Sequence, residues 1–254
     1  MAVDKSSAHV TQSLALVLGR TAFGEADLIV SLFTEAFGKL SALARGARRS
    51  QKRFAGSLEP IHTIVVELTP PRSGELYTLK SASIALPRAA LLNHLGRMNA
   101  AGRAISWVKR ATSSHVAEAG LWHSLNCTLD ELGQCQEQDA DDVAASFGLR
   151  LLELMGWGIN LLNCVSCGKP CPVERSAWVN PERGGLVCQA CGGGPFQIAG
   201  PHRHALHQVA HGLLPLPPHD AVGLTIKIVE RSLGAHLGWQ DGGGLQDLGQ
   251  RRKT

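Results

Sequence analysis

Up to about residue 86 the apolar positions follow a strand-like pattern. Leu14, Leu16 and Leu18 alternate with Ser13, Ala15 and Val17 before the turn-like Phe23-Gly24. Leu28, Val30 and Leu32 alternate again, Gly38-Lys39 supplies the next turn, and Leu40 to Ala44 runs into a basic loop. Ile61 to Leu68 is apolar and rich in β-branched residues. Thr69-Pro70-Pro71-Arg72-Ser73-Gly74 breaks that run, and Leu76 to Leu86 resumes it. The pattern predicts five short antiparallel strands with no helical crossover. That suits a small barrel, either a five-stranded OB-fold or an SH3-like barrel.

After Pro87 the period becomes helical. Leu91, Leu95, Met98, Ile105 and Val108 mark one helical face, and Val116, Ala119, Trp122, Leu125, Leu129 and Leu132 mark a second that ends near Gly133. Val143, Phe147, Leu151, Leu154 and Met155 mark a third, with Asp141 and Asp142 where acids favour a helix N-terminus. Pro201 can open a fourth through Leu206, Val209 and Leu213, and Val222, Ile226, Val229, Leu233 and Leu237 space a fifth. Trp107, Trp122 and Trp157 fall at or near apolar helical positions, so they read as core or groove residues. The expected class is α+β. A barrel at 1–86 is followed by a helical domain at 87–163 and 196–240, interrupted by a cysteine module at 164–195, with a loose Gly-rich tail at 241–254.

Composition narrows the class. The chain has 254 residues, enough for a real core, with 44% apolar and 18% charged side chains, which excludes a disordered chain or a coiled coil. No stretch approaches a membrane span, and the polar start, which carries Asp4, does not read as a signal peptide. A cytoplasmic protein is expected.

The net charge of +4 is uneven. Residues 1–86 carry ten basic and seven acidic side chains, whereas 87–163 carry six and eight. Arg45, Arg48, Arg49, Lys52 and Arg53 put five cations in nine residues with no acid among them. Like charges so close repel unless something negative sits opposite them, although a solvated loop also accommodates them.

Seven cysteines occur, at 127, 135, 164, 167, 171, 188 and 191. Cys164-x-x-Cys167 and Cys188-x-x-Cys191 are separated by 20 residues. Two thiolates at i and i+3 on a tight turn converge on one ion, and a second such turn completes a tetrahedron. One structural zinc ion on Cys164, Cys167, Cys188 and Cys191 is therefore expected, with Cys171 spare, either replacing a ligand or sitting nearby as a free thiol. Four protein ligands leave no open position for a reacting water, so the site reads as scaffold. His202, His204, His207 and His211 follow. On a helix, 204, 207 and 211 share one face, either a ligand-facing stripe or the polar side opposite Leu206, Val209 and Leu213.

Enzyme signatures are missing. There is no G-x-x-x-x-G-K, H-E-x-x-H or G-x-S-x-G, no paired H-x-E and P-C-x-x-C of a zinc deaminase, and no ligase-type Lys-x-Asp-Gly. Asp139, Asp141 and Asp142 are the carboxylates an unrecognised nuclease or transferase would use, but their place at a helix start also explains them. A binding protein is favoured. A zinc-ribbon scaffold with incidental DNA binding is the other reading.

The succession Gly24-Glu25-Ala26-Asp27, Leu28 to Thr34, Gly38-Lys39 and Gly46-Ala47-Arg48-Arg49 resembles the RecO family of bacterial recombination mediators and DNA repair proteins. The likeness continues through Leu58-Glu59-Pro60, the helical region and the paired cysteines, over about residues 10–238. It implies an OB-fold DNA-binding domain, a helical domain, an inserted zinc module and a non-catalytic role at the nucleoid. It implies binding of single- and double-stranded DNA, annealing of complementary strands, and action with a RecR-type partner to load the recombinase onto DNA coated by single-strand-binding protein. The acidic, apolar C-terminal tail of that coating protein would dock on the helical domain. On this view Arg45, Arg48, Arg49, Lys52 and Arg53 track phosphates, aided by Arg20 and Lys39. Phe54 beside the basic run is the candidate for stacking on bases, and Phe37 reads as barrel core. No recognition-helix pattern is visible, so readout of a base sequence is not expected.

Overall fold

The computed structural model describes residues 10–50, 52–54 and 56–237; the expected tail at 241–254 lies outside them. Strands β1 (Thr11–Phe23), β2 (Asp27–Thr34), β3 (Gly38–Ala44), β4 (Thr63–Thr69) and β5 (Tyr77–Leu86) close into a barrel in the order β1-β2-β3-β5-β4. The five strands are not all antiparallel as the sequence pattern suggested. β3 pairs with β5 in parallel, from Ala42 opposite Tyr77 to Ala44 opposite Leu79. The reason is topological: β4 returns to β1, so the β4–β5 hairpin delivers β5 to the open edge of β3 in the same direction. A bulge at Val17–Gly19 in β1 bends that strand around the closure. This is the five-stranded OB-type barrel rather than the SH3-like alternative.

β1 is buried on both faces. Ala15 and Val17 point into the barrel with Val30, Leu32, Leu40, Ala42, Ala44, Ile64, Val66 and Leu68. Leu16 and Leu18 point the other way and join Phe33 and Ile61 in a second core shared with the helices. The leucines that set the alternation in the sequence therefore face the helical region, and smaller residues fill the barrel.

Five helices follow: α1 (Leu95–Ala111), α2 (Ala119–Gln134), α3 (Ala140–Leu154), α4 (Gly200–Ala210) and α5 (Val222–His236). α3 is central, packed by the other four and buried over most of its surface. Close approach there depends on Gly148, where a Cβ would lie 2.7 Å from the Trp107 ring and 2.9 Å from Val229. α1 buries Ala100, Ala101, Ala104, Ile105, Trp107, Val108 and Ala111, while Leu95 and Met98 are 70% and 41% exposed. Reading α1 by its largest apolar residues misphased its N-terminal half, because alanines let it approach α3 closely. Val116 precedes α2 and Leu213 follows α4, and both are exposed.

Between α3 and α4 lies a small sheet, β6 (Asn160–Cys164), β7 (Ala177–Asn180), β8 (Gly185–Leu186) and β9 (Phe196–Ile198), in the order β6-β8-β7-β9. Its inner residues Leu161, Val179, Leu186 and Ile198 belong to the helical core, so the cysteine module shares that core. No helix among the described residues is long and apolar enough to cross a membrane.

One buried side chain ties barrel to helices. The Arg88 side chain is 3% exposed, and its Nε donates to Asp130 Oδ1 on α2 at 2.6 Å. Nη1 donates to the Ile61 carbonyl and to Thr63 Oγ1, both at 2.9 Å, and Nη2 donates to Asn126 Oδ1 at 3.0 Å. The Arg88 backbone N–H donates to His62 Nδ1 at 2.9 Å. Burial, and then the Arg88 charge, hold His62 below the usual histidine range, which suits an accepting neutral ring. Ile61 adopts φ 86°, costly for a β-branched residue, and its carbonyl reaches Arg88 from that conformation.

At the other end of the bundle the Asp142 carboxylate, 7% exposed, meets His219 Nδ1 at 3.0 Å on each oxygen. This pins the segment before α5 to the first turn of α3.

Two predictions follow from these contacts. Arg88→Met leaves the Ile61 carbonyl and Thr63 without their donor, and should lower the unfolding free energy by about 3 kcal/mol in urea denaturation. The hydrogen bond to Asp142, followed by its charge, raises the His219 pKa. That contribution to stability is complete below the unfolded histidine value of about 6.5 and is lost as pH rises through the raised folded value. NMR titration should place the His219 midpoint above 6.5, and Asp142→Asn should bring it down.

Candidate nucleic-acid interface and metal centre

The basic loop is built by the turn before β2. Asp27 Oδ1 accepts the Gly46 N–H at 2.7 Å, and the Ala26 carbonyl accepts the Arg48 N–H at 3.0 Å. Arg48 Nη1 donates to the Glu25 carbonyl at 3.1 Å, and the Arg49 guanidinium stands 4.0 Å from the Glu25 carboxylate, both groups well exposed. Arg53 Nη2 donates to the Arg45 carbonyl at 2.7 Å. Arg45 and Lys52 are exposed, and among the described residues their side chains have no hydrogen bond or ion pair. Glu25 and Asp27 thus shape the loop while leaving it cationic. The sequence carried both acids, but their role shows only once the turn is folded back.

Beside the loop a cleft of about 370 Å³ is lined by Arg20, Leu28, Arg48, Ser50, Gly56 and Glu59, among others. Arg20 reaches this cleft but is paired at 2.5 Å with Glu59, both about half exposed.

Two expected DNA contacts are corrected. Phe54 borders this cleft but is 2% exposed and packed with the barrel core, so almost none of its ring is open to a base. Phe54 belongs to the same buried cluster as Ala15, Ala42, Ala44 and Ala82, and its burial contributes about 2 kcal/mol. Arg53 instead covers the ring, its guanidinium carbon 5.2 Å from the centroid. Lys39 does not face the cleft. Its Nζ donates to the Lys109 carbonyl at 2.9 Å and to the Thr112 carbonyl, capping the C-terminus of α1. Burial, then repulsion from Lys109, lower its pKa. Phe37 packs partly buried against the barrel core, as read.

The rest of the Gly-Lys turn is structural too. Thr34 Oγ1 accepts the Phe37 N–H at 3.0 Å and donates to the Gly38 carbonyl at 2.9 Å. Gly38 has φ 66°, and a Cβ there would fall 1.8 Å from the Val116 carbonyl oxygen. Glycine is required on both counts.

Cys164, Cys167, Cys188 and Cys191 bring their sulfurs within 4.8 Å of one another. The Cys167 and Cys188 sulfurs are 3.8 Å apart. A tetrahedron with metal–sulfur bonds of about 2.3 Å has edges of about 3.8 Å, so the cluster fits one four-coordinate ion. The Cys188 N–H reaches Cys164 Sγ at 3.3 Å and, with further backbone donors, draws that thiol down to about 6. Cys191, hydrogen-bonded first to Cys188 and then to Cys167, is pushed up to about 12. A metal ion held by the four thiolates would displace those protons and end the competition. Cys171 stays outside, its thiol 3.9 Å from the Arg175 carbonyl.

A buried arginine that sequence reading passed over holds this module. Arg203 of α4 is fully buried, donating to the carbonyls of Leu161 (2.5 Å), Pro172 (2.6 Å), Cys171 (3.2 Å) and Val173 (3.4 Å). The histidines around it do not gather on an ion. His202 pairs with Asp220 at 3.1 Å, and the His207 and His211 rings meet tilted by 49° with centroids 4.3 Å apart. The acids at the start of α3 are engaged apart, Asp141 with Arg103 at 2.8 Å and Asp142 with His219. Among the described residues the four-cysteine set is the group of His, Cys, Asp and Glu that converges on a metal.

Comparison with known proteins agrees with this architecture. The family model "Recombination protein O N terminal" matches residues 9–88 and "Recombination protein O C terminal" matches 92–240. The chain is 29% identical over 233 residues to DNA repair protein RecO of Geobacter sulfurreducens, covering 90% of this chain and 93% of that one. It is 33% identical over 182 residues to the Geobacter metallireducens protein of the same name, covering 72% of each. It is 32% identical over 188 residues to that of Desulfosudis oleivorans, covering 71% of each. An OB-type barrel with a basic loop, a helical bundle, a four-cysteine module and two family models spanning nearly the whole chain lead to one conclusion: the chain belongs to the RecO family, non-enzymatic mediators of DNA repair and recombination.

Proposed function

We propose that this protein binds single- and double-stranded DNA through the barrel domain, residues 1–86. In this reading it anneals complementary strands and, with a RecR-type partner, loads the recombinase onto DNA coated by single-strand-binding protein. The observation that carries it is the basic loop at 45–53, shaped by Glu25 and Asp27, in which the one ion pair among the described residues is the exposed 4.0 Å contact of Arg49 with Glu25. Arg45, Arg48, Arg49, Lys52 and Arg53 neutralise successive phosphates, with Arg20 at the cleft. Contacts to phosphate leave base edges free, and neutralising two backbones lowers the repulsion that keeps complementary strands apart. The helical domain, 87–163 with 196–240, takes the acidic, apolar tail of the coating protein. The ion in the 164–195 module is one zinc, held by Cys164, Cys167, Cys188 and Cys191. It supplies cross-linking and no reaction step. The protein works in the cytoplasm, at the nucleoid.

Five loop cations on a single strand give a slope of log affinity against log salt of about −3.5. Arg48→Glu/Arg49→Glu/Lys52→Glu should flatten that slope and abolish annealing of complementary oligonucleotides coated with single-strand-binding protein. Annealing equal to wild type would remove the loop from the mechanism. Zinc content should be one per chain in wild type and fall in Cys188→Ser, with thermal unfolding shifted down.

A further inference from the structure

The metal module carries a second cleft, of about 440 Å³, bordered on one side by Cys164 and Cys188 of the four-cysteine cluster and otherwise by residues to which the proposed function gives no role. Trp178 on β7 and Gln197 on β9 are direct cross-strand partners, and both are exposed. Their neighbours Val179 and Ile198 are buried in the core. Strand alternation therefore stands Trp178 and Gln197 on the outer face, where they line the cleft with Lys169, Arg175, Ser176 and Gln189. No carboxylate lines it. Among the described residues the Lys169 ammonium and the Arg175 guanidinium make no ion pair and no hydrogen bond.

Trp178 is 37% exposed. The Gly193 backbone, at φ 67°, lies beside the ring, where even a Cβ would sit at ordinary contact distance, 3.5 Å from Trp178 Cγ. An indole held at a surface, with two unpaired cations beside it and amide side chains at the rim, has the parts of a single-strand site. A platform for one base, charges for the flanking phosphates and donors for sugar or base edges are all present. Arg203 fixes the wall, since its guanidinium holds the carbonyls of Cys171 and Pro172 that border the same cleft.

We propose that this cleft is a second binding site for single-stranded nucleic acid, stacking a base on Trp178 and holding phosphates with Lys169 and Arg175. It rests on the reading that the chain binds single strands, and it extends the contact beyond the barrel. Recognition is by charge and stacking, without selection of a sequence. The competing role for the two cations is to balance the net −2 charge of four thiolates on a divalent ion. In that case their removal acts on the metal and not on the strand.

The test uses the full chain, fluorescein-labelled oligothymidylate and anisotropy over a range of salt, with zinc content measured on every variant. Lys169→Ala/Arg175→Ala should keep its zinc while the log–log salt slope loses about 1.4. Trp178→Ala should weaken binding about fivefold or more, and Trp178→Phe should restore most of it. Slopes and affinities equal to wild type overturn the cleft as a strand site, and so do variants that lose zinc with binding unchanged. Wild-type protein irradiated with a 5-iodouracil oligonucleotide gives a readout that needs no variant. Cross-links at Trp178 support the proposal, and cross-links confined to the barrel overturn it. A wild type that binds no oligothymidylate overturns this site together with the proposed function. Binding lost only in the Arg48/Arg49/Lys52 variant overturns the cleft alone.

Discussion

A guanidinium enclosed between the barrel and the helices is the constraint on which the relation of the two halves depends. Arg88 lies just past β5, and its donors fan out to Asp130 and Asn126 on α2, to Thr63 on β4 and to the Ile61 carbonyl. A buried cation is tolerable only when its donors are met, and here they are met by two separate stretches of chain, residues 61–63 and α2. The positive φ of Ile61 is held in place by the same set of bonds. Lys39, capping α1 from β3, and the Gly38–Val116 approach make a second seam. The basic loop then projects from a barrel whose orientation the helices have already fixed.

Arg203 repeats the device at the metal module with different partners. It has carbonyl oxygens and no carboxylate, so backbone dipoles from β6 and the segment after Cys171 supply its solvation. The module is thereby anchored from α4 as well as by Leu161, Val179, Leu186 and Ile198 in the core. A metal ion on the four cysteines would close the knuckles, and packing with Arg203 sets where they sit. The two devices are independent in physical origin, one coordinate and one electrostatic.

Much of this was legible in the sequence, for stated reasons. The barrel strands, the five helices and the four-cysteine cluster follow from periodicity and spacing, which local physics enforces, whereas the short strands β6–β9 left no such pattern. The parallel β3–β5 pair was not legible, because strand direction depends on the order of closure. Phe54 and Lys39 were misread because neighbours in sequence suggested a surface, while the barrel core and the end of α1 lie elsewhere in the chain. Arg88 and Arg203 gave no signal at all, since a single arginine, beside apolar residues at 88 or between histidines at 203, looks the same whether it is exposed or enclosed. Glu25 and Asp27 were visible as residues without a role, which a turn folded back onto the loop supplies.

β1 belongs to two cores at once, through Ala15 and Val17 on one face and Leu16 and Leu18 on the other. A strand of that kind carries half of an interface on its back. The barrel is therefore no interchangeable cassette: a chimera that takes it from a relative imports the outward leucines with it. Those must mesh with an unfamiliar Trp122 and its neighbours, which Phe33 meets here at 5.8 Å between ring centres. Outward β1 positions and the facing residues of α1 and α2 are thus bound to change together as lineages diverge, whatever freedom the basic loop retains.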